Sequence, residues 1–126
     1  MPKSFKQIMD EARREIREVG ADEVKARLER GDSVRVVDVR EKEEYREGHL
    51  PGAISLPRGF LEMRVEETLP DKQAPIVAYC AGGTRSLIAA RTMKEMGYTD
   101  VVSMSGGFTA WKNAGYPVAE RAQRKS

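Results

Sequence analysis

Ile76-Val-Ala-Tyr-Cys-Ala-Gly-Gly-Thr-Arg-Ser86 is the stretch on which the fold turns. Ile76–Tyr79 is a short apolar run suited to a buried strand, and it passes without a break into Cys80 and a glycine-containing loop. Ser86–Met96 then predicts a helix with Leu87, Ala90 and Met93 on its inward side, closed by Gly97. A strand handing over to a helix is the repeating step of an α/β fold.

The same alternation extends outward in both directions. Downstream, Val101–Met104 predicts a strand, and Gly106-Gly107 turns the chain into a last short helix with Phe108 and Trp111, stopped near Gly115 and Pro117. Upstream, Val34–Val39 is a mostly β-branched strand, followed by a charged helical turn from Glu41 to Glu47 that Gly48 closes. Ala53–Leu56 reads as another strand, and Gly59–Leu69 as a helix before the Pro70-Asp71 turn.

Two helices open the chain. In the first, Phe5, Ile8, Met9, Ala12, Ile16 and Val19 recur at helical spacing after a Ser4-x-x-Gln7 capping box, up to Gly20. The second runs from about Asp22 to Arg30, with Val24 and Leu28 on one face and Gly31 at its end. The order implies an α/β domain with a mostly parallel sheet flanked by helices on both faces.

Composition narrows the function. With 126 residues the chain falls in the range of one domain, roughly 100–200 residues. Charged residues make up 33% of it but the net charge is only +2, a mixed surface that argues against a nucleic-acid stripe. The basic tail Arg121–Lys125 is expected to fray into solvent. One cysteine excludes an intrachain disulfide, and with His49 as the only histidine no metal site is expected. The sequence has no apolar run of about 18 residues and no secretory leader in Met1–Lys6, so no membrane association and a reducing, cytoplasmic setting are expected.

The chemistry gathers at Cys80. In open α/β sheets ligands bind beyond the carboxyl ends of the strands, where Cys80 is placed. Gly82 and Gly83 permit a curled backbone whose N–H groups converge, and the following helix presents its positive end. Such surroundings bring a thiol from a pKa near 8.5 into the range of roughly 3.5–7.5, and Arg85 adds a fixed positive charge. Most unpaired cysteines are small buried hydrophobes, but that role needs neither a curled loop nor a charge.

Three segments together resemble the rhodanese family: Val37-Asp-Val-Arg-Glu-Lys-Glu-Glu-Tyr45 with Gly48-His-Leu-Pro-Gly-Ala-Ile54, Tyr79-Cys-Ala-Gly-Gly-Thr-Arg-Ser86, and Gly106-Gly-Phe-Thr-Ala-Trp-Lys-Asn-Ala-Gly-Tyr-Pro117. The resemblance implies a three-layer domain with a mostly parallel five-stranded sheet over residues 21–119. Residues 1–20 are then a separate amphipathic helix and 120–126 a polar tail. It further implies a sulfurtransferase that moves sulfane sulfur from a donor such as thiosulfate to a thiophilic acceptor through a Cys80 persulfide, with no other cofactor. Cyanide would be the acceptor in vitro, and a thiol or sulfur-carrier protein in the cell.

By the same resemblance Cys80 is the nucleophile, and Ala81, Gly82, Gly83, Thr84 and Arg85 surround the transferred sulfur. Asp38, Arg40 and Ser86 support the loop. His49 is expected to be structural and Trp111 a core anchor. A cysteine desulfurase or a sulfur-carrier protein would suit as partner. Two alternatives stand beside this reading. A non-catalytic rhodanese-like regulatory module commonly lacks the cysteine that is present here. Cysteine-dependent phosphatases or arsenate reductases hold cysteine and arginine one residue further apart, a difference of about 3.3–3.6 Å of extended chain, and Tyr79 stands where a phosphatase would carry histidine.

Overall fold

Apolar, largely β-branched runs line up side by side in the computed structural model of the chain, which describes residues 2–120. The strands are β1 (Glu18–Val19), β2 (Arg35–Asp38), β3 (Ile54–Ser55), β4 (Ile76–Tyr79) and β5 (Val101–Met104). They form one five-stranded sheet in the order β1-β5-β4-β2-β3, and every neighbouring pair is parallel. Strand β4 lies at the centre, paired with β2 from Arg35↔Ile76 to Asp38↔Tyr79 and with β5 from Ile76↔Val101. It is buried throughout, as expected of a strand covered on both faces.

The alternation of side chains along β4 assigns the helices to their layers. Val77 and Tyr79 face a cluster with Val24 of α2 (Ala21–Glu29) and Phe108 and Trp111 of α6 (Gly107–Asn113). Ile76, Ala78 and Cys80 face the other way, toward Leu61 and Val65 of α4 (Leu61–Thr68) and Ala89 and Met93 of α5 (Thr84–Glu95). The remaining helices are α1 (Phe5–Glu15), laid over α5, and α3 (Lys42–Glu47), which follows β2. Helix α4 is entered through a 3-10 turn at Arg58–Phe60. Among the described residues no helix is long and apolar enough to cross a membrane.

The N-terminal segment differs from its sequence pattern. The Ser4 capping box is present, with Gln7 N donating to Ser4 Oγ at 3.1 Å and Ser4 N to Gln7 Oε1 at 2.8 Å. The helix does not continue to Val19, however. It ends at Glu15, Ile16 is extended, and Glu18–Val19 forms edge strand β1. Met9, Ala12 and Ile16 pack with Leu87 and Ala90 outside α5, whereas Val19 packs in the cluster on the opposite face of the sheet. A straight helix cannot serve both faces. The edge of β5 also offers backbone partners that a helix would leave unused: Ser103 N donates to Arg17 O and Ser105 N to Val19 O. Residues 1–20 are therefore not a separate helix, because their last part completes the sheet. Of the expected tail at 120–126, only Glu120 falls within the described residues.

A buried polar network fixes the end of β2 against β4. Asp38 and Arg40 are almost wholly buried and paired at 2.7 Å. The Tyr79 hydroxyl donates to Asp38 Oδ2 at 2.7 Å and accepts from Leu50 N at 3.1 Å. Arg40 Nη2 also donates to Gly48 O at 2.6 Å, and its guanidinium lies 4.2 Å from the Phe108 ring centre. Burial, and then the adjacent Asp38 carboxylate, hold the Tyr79 phenol far above its ordinary pKa, so it stays a neutral donor.

Removing one partner of such a pair leaves an uncompensated buried charge. Asp38→Ala is expected to lower unfolding free energy by about 3–5 kcal/mol in urea denaturation. A loss below about 1 kcal/mol, the range of an exposed pair, would show that this pair does not organise the strand ends.

Candidate active site

Strand β4 delivers Cys80 to the carboxyl edge of the sheet, and the chain must reverse into α5 within a few residues. Gly83 makes that reversal possible. It is the N-cap of α5 with φ +103, a left-handed conformation that side chains disfavour. The turn aims backbone donors at the sulfur: Gly83 N donates to Cys80 Sγ at 3.1 Å and Ser86 N at 3.4 Å. Ser86 Oγ lies 3.6 Å from the same sulfur.

Cys80 is 1% exposed. Burial pushes its thiol pKa up, but the Ser86 hydroxyl and the N–H groups of Ser86, Gly83 and Gly82 outweigh that effect and hold it below the ordinary value. Ser86 and Gly83 are buried behind the sulfur, whereas Gly82 and Thr84 are exposed and form the outer rim. Arg85, partly exposed, pairs with Glu44 Oε1 of α3 at 3.5 Å. The loop from Ala81 to Ser86 thus curls around the Cys80 sulfur, while Asp38 and Arg40 act at a distance by holding the neighbouring strand end and α3.

Two further groups supporting the loop do not stand out in the sequence. Ser103, wholly buried on β5, hydrogen bonds through its Oγ to Ser86 Oγ at 2.8 Å. Its signal was a hydroxyl inside the apolar run Val101-Val-Ser-Met104, since a buried hydroxyl needs a partner. Gly107 is the other. Phe108 N donates to Cys80 O at 2.8 Å and Thr109 N to Ala81 O at 3.1 Å, so the first turn of α6 bonds the loop carbonyls. A Cβ on Gly107 would stand 2.3 Å from Cys80 O, so only glycine allows this approach.

His49 lies against the stem of α3, its ring stacked on Tyr45 at 3.7 Å and its Nδ1 2.7 Å from Tyr45 O. Trp111 is buried, its Nε1 donating to Pro117 O at 2.7 Å. Beside the loop opens a cleft of about 530 Å³, lined among others by Ala81, Arg40, Glu44, Glu47, Phe108 and Lys112. The arrangement can stabilise negative charge on a sulfur that is shielded from behind and approached from the loop rim.

Comparison with known proteins places the fold among proteins of one family. The rhodanese-like domain family matches residues 20–114. YrkF of Bacillus subtilis, named as a candidate sulfur carrier protein, is 35% identical over 96 residues, covering 76% of this chain. The chain spans about half, 51%, of that relative's length. Among solved structures, a thiosulfate sulfurtransferase from Pseudomonas aeruginosa superposes with TM-score 0.79 at 32% identity, over 90% of this chain and 22% of that one. A Rhodopseudomonas palustris protein, described as of unknown function and a possible tyrosine phosphatase, matches with TM-score 0.81 at 35% identity, over 94% and 96% of the two chains.

The donor set around Cys80 makes its titration measurable. Alkylation by iodoacetamide should rise with pH to a plateau, with a midpoint below that of a free thiol, about 8.5. Ser86→Ala removes a donor that favours the anion, so the midpoint must move up. An unchanged midpoint in that variant would assign the whole effect to the backbone.

Proposed function

From its membership of the rhodanese-like domain family, we propose that the chain is a sulfurtransferase that carries sulfane sulfur as a persulfide on Cys80. The observation that supports this most directly is the pair of N–H groups, from Gly83 and Ser86, directed at Cys80 Sγ. In the first half-reaction the Cys80 thiolate attacks the outer sulfur of thiosulfate. The sulfur–sulfur bond breaks and sulfite departs with its electron pair, leaving Cys80–S–S⁻. In the second, an acceptor nucleophile attacks the terminal sulfur and the Cys80 thiolate departs, giving thiocyanate when the acceptor is cyanide.

The same donors serve both steps. They hold Cys80 as a thiolate ready to attack, and they stabilise it again as the leaving group. Ala81, Gly82, Gly83 and Thr84 surround the terminal sulfur, and Arg85 faces an incoming anionic donor. Ser86 tunes the nucleophile, while Asp38 and Arg40 keep the loop's neighbours in register. No other cofactor is called for, because the cysteine itself is the carrier, and neither nucleic acid nor a membrane has a part in the reaction. A free thiolate of this kind suits a reducing, cytoplasmic compartment. Similar proteins named as a thiosulfate sulfurtransferase and a candidate sulfur carrier fit small sulfane donors and persulfide-bearing partners such as a cysteine desulfurase or sulfur-carrier protein.

The phosphatase alternative meets a geometric objection. Only Ala81, Gly82, Gly83 and Thr84 separate Cys80 from Arg85, and the Gly83 and Ser86 amides converge on the sulfur itself. A tetrahedral phosphate needs a wider ring of donors. Turnover of an aryl phosphate at a rate comparable with sulfur transfer would reverse this choice.

After incubation with thiosulfate alone, intact-protein mass spectrometry should show one added sulfur, localised to Cys80 and removed by cyanide. With no second cysteine to capture it, the adduct should persist and the kinetics should be ping-pong. Cys80→Ser should leave the fold intact and reduce thiocyanate production to background. Turnover by that variant, or intersecting initial-rate lines without any adduct, would reject the persulfide route.

A further inference from the structure

Arg85 is the loop's only cation, and its charge is not free. The Glu44 carboxylate stands 3.5 Å from its guanidinium, with both side chains little more than a third exposed. Glu44 is also held in place. It occupies the third position of α3, where its Oε1 accepts from Glu41 N at 2.9 Å in a reciprocal capping box. The C-cap of α3, Gly48, is bonded through its carbonyl to buried Arg40. A negative charge is therefore built into the mouth of a site whose loop would otherwise attract anions.

The adjoining cleft extends the same balance. Its wall at Ala81 continues into Glu44, Glu47 and Glu120, set against Lys112 and Arg40. The charge of Arg40 is already matched by Asp38 at 2.7 Å. Carboxylates thus outnumber uncompensated cations on the approach to the loop.

Resting on the sulfurtransferase reading, we infer that Glu44 is a specificity-determining residue: it offsets Arg85 and turns the site from dianionic donors such as thiosulfate toward alkyl persulfides with an uncharged alkyl group, which react in their neutral R–S–SH form. With such a donor the Cys80 thiolate attacks the outer sulfur of R–S–SH. The sulfur–sulfur bond of the donor breaks, R–S⁻ leaves with the electron pair, and Cys80–S–SH forms, which releases its proton to give the same Cys80–S–S⁻ intermediate. Charge is conserved without a dianion entering beside Glu44.

Glu44→Gln isolates the charge, because glutamine keeps both the length of the side chain and an oxygen for the Glu41 N–H. The probes are iodoacetate, an anion, and iodoacetamide, its neutral counterpart, each reacting with Cys80 whether or not the protein transfers sulfur. The iodoacetate/iodoacetamide rate ratio should rise about three- to tenfold in Glu44→Gln at low salt and fall back as ionic strength increases. kcat/KM for thiosulfate should rise by a similar factor through a lower KM, while that for a persulfide with an uncharged alkyl group, reacting as R–S–SH, changes by less than about twofold. Glu44→Asp, which keeps the charge, should keep the wild-type ratio. An unchanged or lower ratio in Glu44→Gln, or an equal rise in Glu44→Asp, would overturn the assignment. A raised ratio in a protein that forms no sulfur adduct with either donor would reject the sulfurtransferase reading while upholding the electrostatic role of Glu44.

Discussion

A sulfur atom with almost no contact with solvent cannot hold a negative charge unless fixed donors replace the water it has lost. That requirement governs the architecture around Cys80. Most of these donors come from backbone, whose N–H groups are carried on rigid elements and cost no side-chain ordering, and the Ser86 hydroxyl adds to them. Gly83 in its left-handed conformation turns two of them, its own and that of Ser86, toward the sulfur. The position of α5 relative to β4 follows from that turn.

A loop curled in this way leaves its carbonyls pointing outward, and these need partners as much as the sulfur does. Helix α6 meets the need from below. Its Phe108 and Thr109 N–H groups bond the carbonyls of Cys80 and Ala81, and Gly107 lets the two backbones meet. Ser103 does the same for the side chain of Ser86 from β5. Helix α6 and strand β5 thus both bind the loop. The Asp38–Arg40–Tyr79 network closes the arrangement on the β2 side and carries it to α3.

Charge at the rim obeys a different logic from charge within. Inside, each charge is matched: Asp38 by Arg40 and the sulfur by amides. At the rim, Arg85 and Glu44 are partly exposed, so water screens them and their pairing adds little to stability. Their effect falls instead on whatever approaches Cys80. This separates what keeps the fold from what selects a substrate, and it places selection on α3, an element that contributes no buried residue to the core.

Much of this was legible in the sequence. The strand pattern at Ile76–Tyr79, the Gly-Gly after Cys80 and the apolar face of α5 act locally, so one-dimensional spacing records them. The cysteine at the end of the central strand and the loop that curls after it were readable for the same reason, as was the Ser4 capping box. What the sequence could not decide depends on long-range partners. Ile16 and Val19 obey helical spacing, and only the free edge of β5 and the opposed core clusters make Glu18–Val19 a strand. Ser103, Gly107 and Glu44 likewise owe their roles to residues far along the chain. By itself the sequence determined the α/β class and the place of the cysteine at a strand-to-helix turn, because periodicity and turn chemistry are properties of neighbours. The tertiary structure alone decided which distant groups meet that cysteine, because hydrogen bonds and ion pairs depend on distance in space.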